Sequence, residues 1–114
     1  GNFPVMSMGK NAQIIRMDGH GVPEILDAIL RVFPLDTYIE KPVNLMEVMP
    51  GDDVQTPIWD VYKKTVEKYD ERGKNAIGEI ERFKFYEETK TAYAVIATSE
   101  KALYANIMLQ KGVV

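Results

Sequence analysis

The stretch Leu103-Tyr104-Ala105-Asn106-Ile107-Met108-Leu109-Gln110-Lys111-Gly112-Val113 alternates between two kinds of side chain. A period of two is typical of a β-strand, so the stretch predicts a strand with one apolar face toward the core. Tyr104 and Asn106 then share the other face, about 6.6 Å apart along the strand. A flat ring beside an amide that both donates and accepts hydrogen bonds suits a polyhydroxylated ligand such as a sugar. On the strand alone, a plain polar face of an edge strand is the favoured interpretation.

Length and composition limit the classes of protein to consider. The chain has 114 residues, which is one domain, and its hydrophobic content of 46% is ordinary for a globular protein. A net charge of -3 argues against a nucleic-acid binder, because such proteins usually carry a basic face. The absence of cysteine excludes a disulfide scaffold and a thiolate site. No apolar run is long enough to span a membrane. We therefore expect a cytoplasmic protein without nucleic-acid or membrane partners.

Segments with strand and helix periodicity alternate along the chain. Alternating or continuous apolar runs predict strands over residues 13–17, 43–49, 79–85 and 93–98, and the last of these is apolar enough to be buried on both sides. Helical spacing predicts helices over residues 23–33, 57–69 and 86–91, with Thr56 as the N-cap of the second helix. Residues 2–11 are predicted to form a loop. The order predicts a single α/β domain with a mixed, mainly parallel sheet flanked by helices.

Few residues in this chain suit acid–base or metal chemistry. His20 is the only imidazole, but it lies in a turn before a helix with no carboxylate that the sequence places beside it, so an exposed turn histidine is the favoured interpretation. One histidine without cysteine also makes a metal site improbable. Tyr86 stands near a strand end, where ligands gather in open α/β sheets. For Asp36, a turn-capping role and a ligand contact remain equally open.

Several motifs taken together resemble the L-fucose mutarotase family, and the resemblance covers essentially the whole chain. It is closer to the animal-type members than to the related ribose pyranases. The motifs are Asn2-Phe3-Pro4, Ile15-Arg16-Met17-Asp18-Gly19, Pro34-Leu35-Asp36-Thr37-Tyr38, Gln55-Thr56-Pro57-Ile58-Trp59, Ile80-Glu81-Arg82-Phe83-Lys84-Phe85-Tyr86-Glu87, Leu103-Tyr104-Ala105-Asn106 and Lys111-Gly112-Val113.

The resemblance implies an isomerase of carbohydrate metabolism that interconverts the α and β anomers of L-fucose without metal or organic cofactor. The residues it places on the monosaccharide are Asp36, Tyr86, Tyr104 and Asn106, whereas Arg16 and Arg82 lie in matching motifs without an assigned contact. It also implies a homo-oligomer. Two other activities stay open: pyranose–furanose interconversion of the ribose pyranase type, and non-catalytic binding of a monosaccharide.

The resemblance has one serious departure. The family's proton-donating histidine belongs to a segment before the Asn-Phe-Pro motif, and His20 does not match its position. We therefore expect that a helix, a strand and the catalytic imidazole precede Gly1, and that no catalytic residue lies within these residues. The 114-residue chain alone is expected to be inactive.

Overall fold

The computed structural model describes residues 13–112, so the loop predicted over residues 2–11 lies outside the described part. The elements in chain order are β1 (Gln13–Met17), α1 (Val22–Val32), β2 (Val43–Met46), α2 (Pro57–Tyr69), a 3-10 helix (Gly73–Ala76), β3 (Ile77–Ile80), α3 (Arg82–Thr89), β4 (Ala94–Thr98) and β5 (Ile107–Leu109). This order confirms the predicted α/β class. Within residues 13–112, no helix combines the length and the apolar character that crossing a bilayer requires.

The strands form two hydrogen-bonded sheets, whereas the sequence predicted one. The first sheet pairs β1 with β4 in parallel, and the second has the order β3-β2-β5. In the second sheet β2 is parallel to β3 and antiparallel to β5. The pairing is therefore mixed and mainly parallel, as predicted, but it is divided between two sheets.

The core lies between α1, α2 and the central strand β2. The apolar stripe of α1 is buried through Leu26 and Leu30, and that of α2 through Trp59, Tyr62 and Val66. Both helices have a proline in the first turn, where a missing backbone N–H has no cost. Helix α2 has the predicted bounds. However, its N-cap residue makes no hydrogen bond through its side chain, contrary to the predicted capping.

The strand predicted over residues 79–85 is wrong in its second half. Strand β3 ends at Ile80, and Glu81 caps α3 by accepting hydrogen bonds from the backbone N–H groups of Phe83 and Lys84. In a strand Phe83 and Phe85 would share a face, but Phe85 is 2% exposed and Phe83 is 64% exposed. A carboxylate cap outweighed a short alternation of aromatic residues. The helix predicted from Tyr86 therefore begins four residues earlier.

The strand predicted from Leu103 is also wrong in its first half. Strand β5 contains only residues Ile107–Leu109, and residues 102–104 form a bend and turn. Tyr104 has a φ of +54°, in the left-handed region, so it cannot share a strand face with Asn106. Strand β2 is likewise shorter than predicted. In β4, Val95 and Ala97 are buried while the residues between and beside them are only half-buried, so the strand is not buried on both sides.

Candidate functional site

The C-terminal ends of β2 and β3 and the beginning of β5 meet at one edge of the three-stranded sheet, here called the carboxyl edge. Met46 pairs with Ile80 in the parallel ladder, and Leu45 pairs with Ile107 in the antiparallel one. Asn106 and Tyr104 come just before β5, and Tyr86 follows β3 in α3. Tyr104 and Asn106 therefore lie at this edge, which is where open α/β sheets bind ligands, and Tyr86 lies in the helix that begins there.

Helix α2 holds the backbone of the Tyr104 turn. The indole Nε1 of Trp59 donates a hydrogen bond of 2.8 Å to the carbonyl of Tyr104, and the Tyr62 hydroxyl donates one of 2.6 Å to the carbonyl of Ala105. Burial raises the pKa of the Tyr62 phenol, and the charge of Glu100 acts in the same direction, so the hydroxyl remains a donor. Two consecutive carbonyls are thus fixed, beginning with that of Tyr104, the residue in the left-handed conformation.

The side chain of Tyr104 is held by the turn that follows β2. Its hydroxyl oxygen accepts a hydrogen bond of 3.2 Å from the backbone N–H of Met49 and donates one to the carboxylate of Asp52. Met49 and Asp52 are the first and last residues of one turn, closed by a 3.0 Å hydrogen bond from the Asp52 N–H to the Met49 carbonyl. Both ends of that turn therefore bind the same phenol.

The sequence between these two residues explains the turn. Pro50 and Gly51 occupy its centre, and Gly51 has a φ of +92°. Proline followed by glycine favours a type II turn, because proline presets φ at the first central position and glycine tolerates a positive φ at the second. A Cβ at Gly51 would meet no atom within 4 Å, so the requirement for glycine there is conformational.

Helix α3 brings two more side chains to the carboxyl edge. The ring of Tyr86 packs edge-on against Phe83, with centroids 6.4 Å apart. Arg82 is the first residue of the helix, directly after β3, and its Nε is buried without a hydrogen-bond partner in the described residues. A buried polar atom of this kind is rare and is costly to leave unmatched. The sequence analysis assigned no sugar contact to Arg82. Its Nε, unmatched within the described residues, is the structural feature that identifies it as a candidate site residue.

Asp36 lies at the opposite edge of the sheet from Tyr104. Its backbone N–H donates to the carbonyl of Gln110, which follows the far end of β5, at 2.9 Å. Its carboxylate accepts a 2.8 Å hydrogen bond from the N–H of Tyr38, which is the turn-capping role that the sequence left open. Asn106 and Gln110 are four residues apart, roughly 13 Å at about 3.3 Å per extended residue. One chain therefore does not bring Asp36 beside Tyr104.

The Asp36 turn is anchored by a partly buried ion pair. Arg72 donates to the carbonyl of Asp36 at 3.0 Å and to that of Ile39 at 3.1 Å, and it pairs with Asp70 at 2.9 Å. The hydrogen bonds from Arg72 lower the pKa of the Asp70 carboxyl, although burial opposes the shift. The pair thus remains charged near neutral pH and keeps the turn in place.

The remaining candidates lie elsewhere in the fold. His20 is exposed in the turn before α1, as predicted, and its Nδ1 lies 2.8 Å from the Glu24 carboxylate, a partner that the sequence did not place. Arg16 is on the exposed strand β1 of the other sheet and pairs with Asp18 at 3.1 Å. Between residues 13 and 112, no three histidine or acidic side chains gather closely enough to hold a metal ion.

The carboxyl edge therefore presents two aromatic rings, an amide, a guanidinium and a carboxylate. Such a set can stack on the C–H face of a sugar and bind its hydroxyls, because it offers both donors and acceptors. Asp52 and Met49 were missed on sequence. The Pro-Gly turn was visible there, but its contact with Tyr104 spans 52 residues and is set by the tertiary structure.

Comparisons with known proteins identify the family of this chain. The family model described as the RbsD / FucU transport protein family matches residues 1–114. The chain is 45% identical to human fucose mutarotase over 98% of its own length and 74% of that protein. It is similar to the crystal structure of FucU from Bifidobacterium longum, with 65% identity and a TM-score of 0.96 over 100% of this chain and 80% of that one.

A further solved structure is the fucose mutarotase from Streptococcus pneumoniae in complex with L-fucose. It has 42% identity and a TM-score of 0.89, covering 99% of this chain and 78% of that one. The match to the family model over the whole chain, the identity to its members and the shared fold lead to one conclusion. This chain belongs to the RbsD / FucU family.

Proposed function

We propose that the protein is an L-fucose mutarotase, an isomerase that interconverts the α and β anomers of the sugar. The observation that carries the proposal is the position of Tyr104 and Asn106 at the carboxyl edge, in a chain 42% identical to a fucose mutarotase solved with L-fucose. The names of the mammalian relatives support the same activity. A cytoplasmic location is part of this proposal, and the similarity to the fucose mutarotases supports it.

Mutarotation requires two proton movements at the anomeric centre. The ring oxygen gains a proton while the anomeric hydroxyl loses one, the ring opens to an aldehyde, and rotation followed by closure gives the other anomer. We assign Tyr104 and Tyr86 to contacts with the sugar and Asn106 to a hydroxyl. The Nε of Arg82, which has no hydrogen-bond partner within residues 13–112, supports a further contact there. The donor to the ring oxygen is, in this proposal, a histidine, as the resemblance to the mutarotase family implies.

Saturation transfer between the two anomeric protons of L-fucose tests the activity. We expect the protein to accelerate exchange above the uncatalysed rate. His20→Gln is the control, and it should have no effect because the exposed imidazole of His20 pairs with Glu24, in the turn before α1 rather than at the carboxyl edge. Broadened sugar signals at an unchanged exchange rate would instead indicate a binding module. Faster exchange of ribose ring forms than of fucose anomers would indicate a pyranase.

We further propose a homo-oligomer in which neighbouring chains complete the site. Asp36 and Tyr104 lie at opposite edges of the sheet, so a single sugar can contact both only across a boundary between chains. Large exposed side chains at Tyr38 and Leu103 support such a boundary, because they lie within two residues of Asp36 and Tyr104 in the sequence. Symmetric association is the usual way to bury them.

Subunit complementation tests this assembly. Asp36→Asn and Tyr104→Phe should each strongly lower the activity, and refolding the two variants together should restore part of it, because some boundaries then carry both native residues. Sedimentation should show the oligomer at micromolar concentration. A fully active monomer would contradict the proposal, and so would a mixture that stays as inactive as its components.

A further inference from the structure

We propose that Asp52 is a positioning residue that makes Tyr104 a proton acceptor toward the sugar, and that it receives the phenol's own proton during ring opening. The inference rests on the proposed mutarotase activity and adds a residue to its site. It starts from the two hydrogen bonds that already occupy the Tyr104 hydroxyl.

A phenol oxygen carries one hydrogen to donate and two lone pairs that accept. A carboxylate has no hydrogen to give, so the hydrogen in the Tyr104–Asp52 contact is that of the phenol. The backbone N–H of Met49 uses one lone pair. Among residues 13–112 no other group uses the remaining lone pair, so Tyr104 can act toward a ligand at the carboxyl edge only as a hydrogen-bond acceptor.

Because Tyr104 can only accept, it can take part in only one of the two proton transfers. A group that only accepts cannot protonate the ring oxygen, but it can take the proton of the anomeric hydroxyl. As the bond between the anomeric carbon and the ring oxygen breaks, that proton moves to the Tyr104 oxygen and the phenol proton moves to Asp52. A separate general acid protonates the ring oxygen. Ring closure reverses both transfers, so the protein and the sugar end with the protons they began with.

The turn makes this relay rigid. Asp52 is exposed, and an exposed carboxylate is ordinarily free to change its rotamer and its partner. Here its backbone closes the turn at Met49, and Met49 binds the same phenol oxygen. One short segment therefore holds the phenol through two hydrogen bonds, while α2 fixes the backbone of Tyr104 through Trp59. Each of these contacts maintains the direction of the remaining lone pair.

Asp52→Asn in the full-length protein tests the relay, because an amide still forms a hydrogen bond but cannot take up the proton. We expect anomer exchange to slow by on the order of 10²-fold, the usual contribution of general acid–base groups. Affinity for fucose should stay within about tenfold, since a single hydrogen bond is worth no more than that. Asp53→Asn is the matched control, removing the same charge one residue away, and should exchange at the wild-type rate.

A double-mutant cycle separates the relay from an independent role. In the Tyr104→Phe background, Asp52→Asn should cause no further loss, because Asp52 acts only through the phenol. If the fold losses in exchange rate of the two single variants multiply in the double variant, the proposal is overturned. In Asp52→Ala, added formate should restore exchange by supplying a carboxylate. A variant that still binds fucose but is not rescued would assign Asp52 a structural role and also overturn it.

The controls also separate this inference from the activity on which it rests. A wild-type protein that does not accelerate exchange would contradict the proposed function itself. An active wild type accompanied by an equally active Asp52→Asn variant would leave the mutarotase proposal standing and remove only the relay.

Discussion

Replacing Tyr104 with phenylalanine should slow anomer exchange by on the order of 10²-fold while leaving the protein folded. The ring stays, so stacking on the sugar is kept, and only the acceptor oxygen at the carboxyl edge is lost. The hydroxyl is only partly buried and the released groups, Asp52 and the Met49 N–H, lie near solvent. The free energy of unfolding should therefore fall by no more than about 1 kcal/mol.

The measurement is saturation transfer at matched protein concentration, with urea denaturation as the check on folding. Tyr93→Phe is the control, because Tyr93 is 88% exposed and directly precedes β4 of the other sheet. It removes the same hydroxyl and should change neither the rate nor the stability. If Tyr104→Phe exchanges anomers as fast as the wild type, the phenol has no part in the reaction and the relay to Asp52 is wrong as well.

Truncating Tyr62 to alanine should lower the free energy of unfolding by about 3–5 kcal/mol, as is typical for a buried aromatic side chain. Tyr62 is fully buried at the centre of the core cluster, between α2 and the sheet. Tyr62→Phe should cost only about 1–3 kcal/mol, because it keeps the ring and leaves the Ala105 carbonyl without its donor. The difference between the two variants separates the packing of the ring from the hydrogen bond.

Urea denaturation measures both losses, and Val61→Ala is the control on the same helix, since Val61 is 43% exposed. Tyr62→Phe should also reduce the exchange rate, because the turn that presents Tyr104 loses one of its two anchors on α2. A Tyr62→Phe variant as stable and as active as the wild type would show that the hydroxyl does not anchor the turn.

The regular elements could be predicted where the periodicity extended over a whole element. Strand β1 and helix α2 have the predicted bounds, and α1 is displaced by one residue. The errors fall where a short alternation competed with a local hydrogen bond or a turn. Glu81 begins a helix inside an apparent strand, and the turn at Tyr104 interrupts the stretch before β5. In both places one helix cap or one tertiary hydrogen bond determines the local structure more strongly than a few alternating residues do.

The candidate site was predictable in its residue types but not in its arrangement. Tyr86 was assigned to a strand end, but β3 already ends at Ile80 and Tyr86 lies within α3. The wrong strand face for Tyr104 still placed it close to Asn106. The separation of Asp36 from both depends on the antiparallel pairing of β5 with β2, which no local pattern specifies. Asp52 and the orphaned Arg82 Nε likewise became visible only through contacts distant in sequence.

The left-handed backbone of Tyr104 has a consequence for the engineering of this protein. A tyrosine with positive φ is less stable than a glycine there by about 1–2 kcal/mol, because its Cβ crowds the neighbouring carbonyl. Against that strain stand the packing of the Tyr104 ring on the core and the two hydrogen bonds of its hydroxyl, all of which glycine would lose. A search for thermostable variants should therefore hold position 104 constant, because the same side chain serves both stability and turnover.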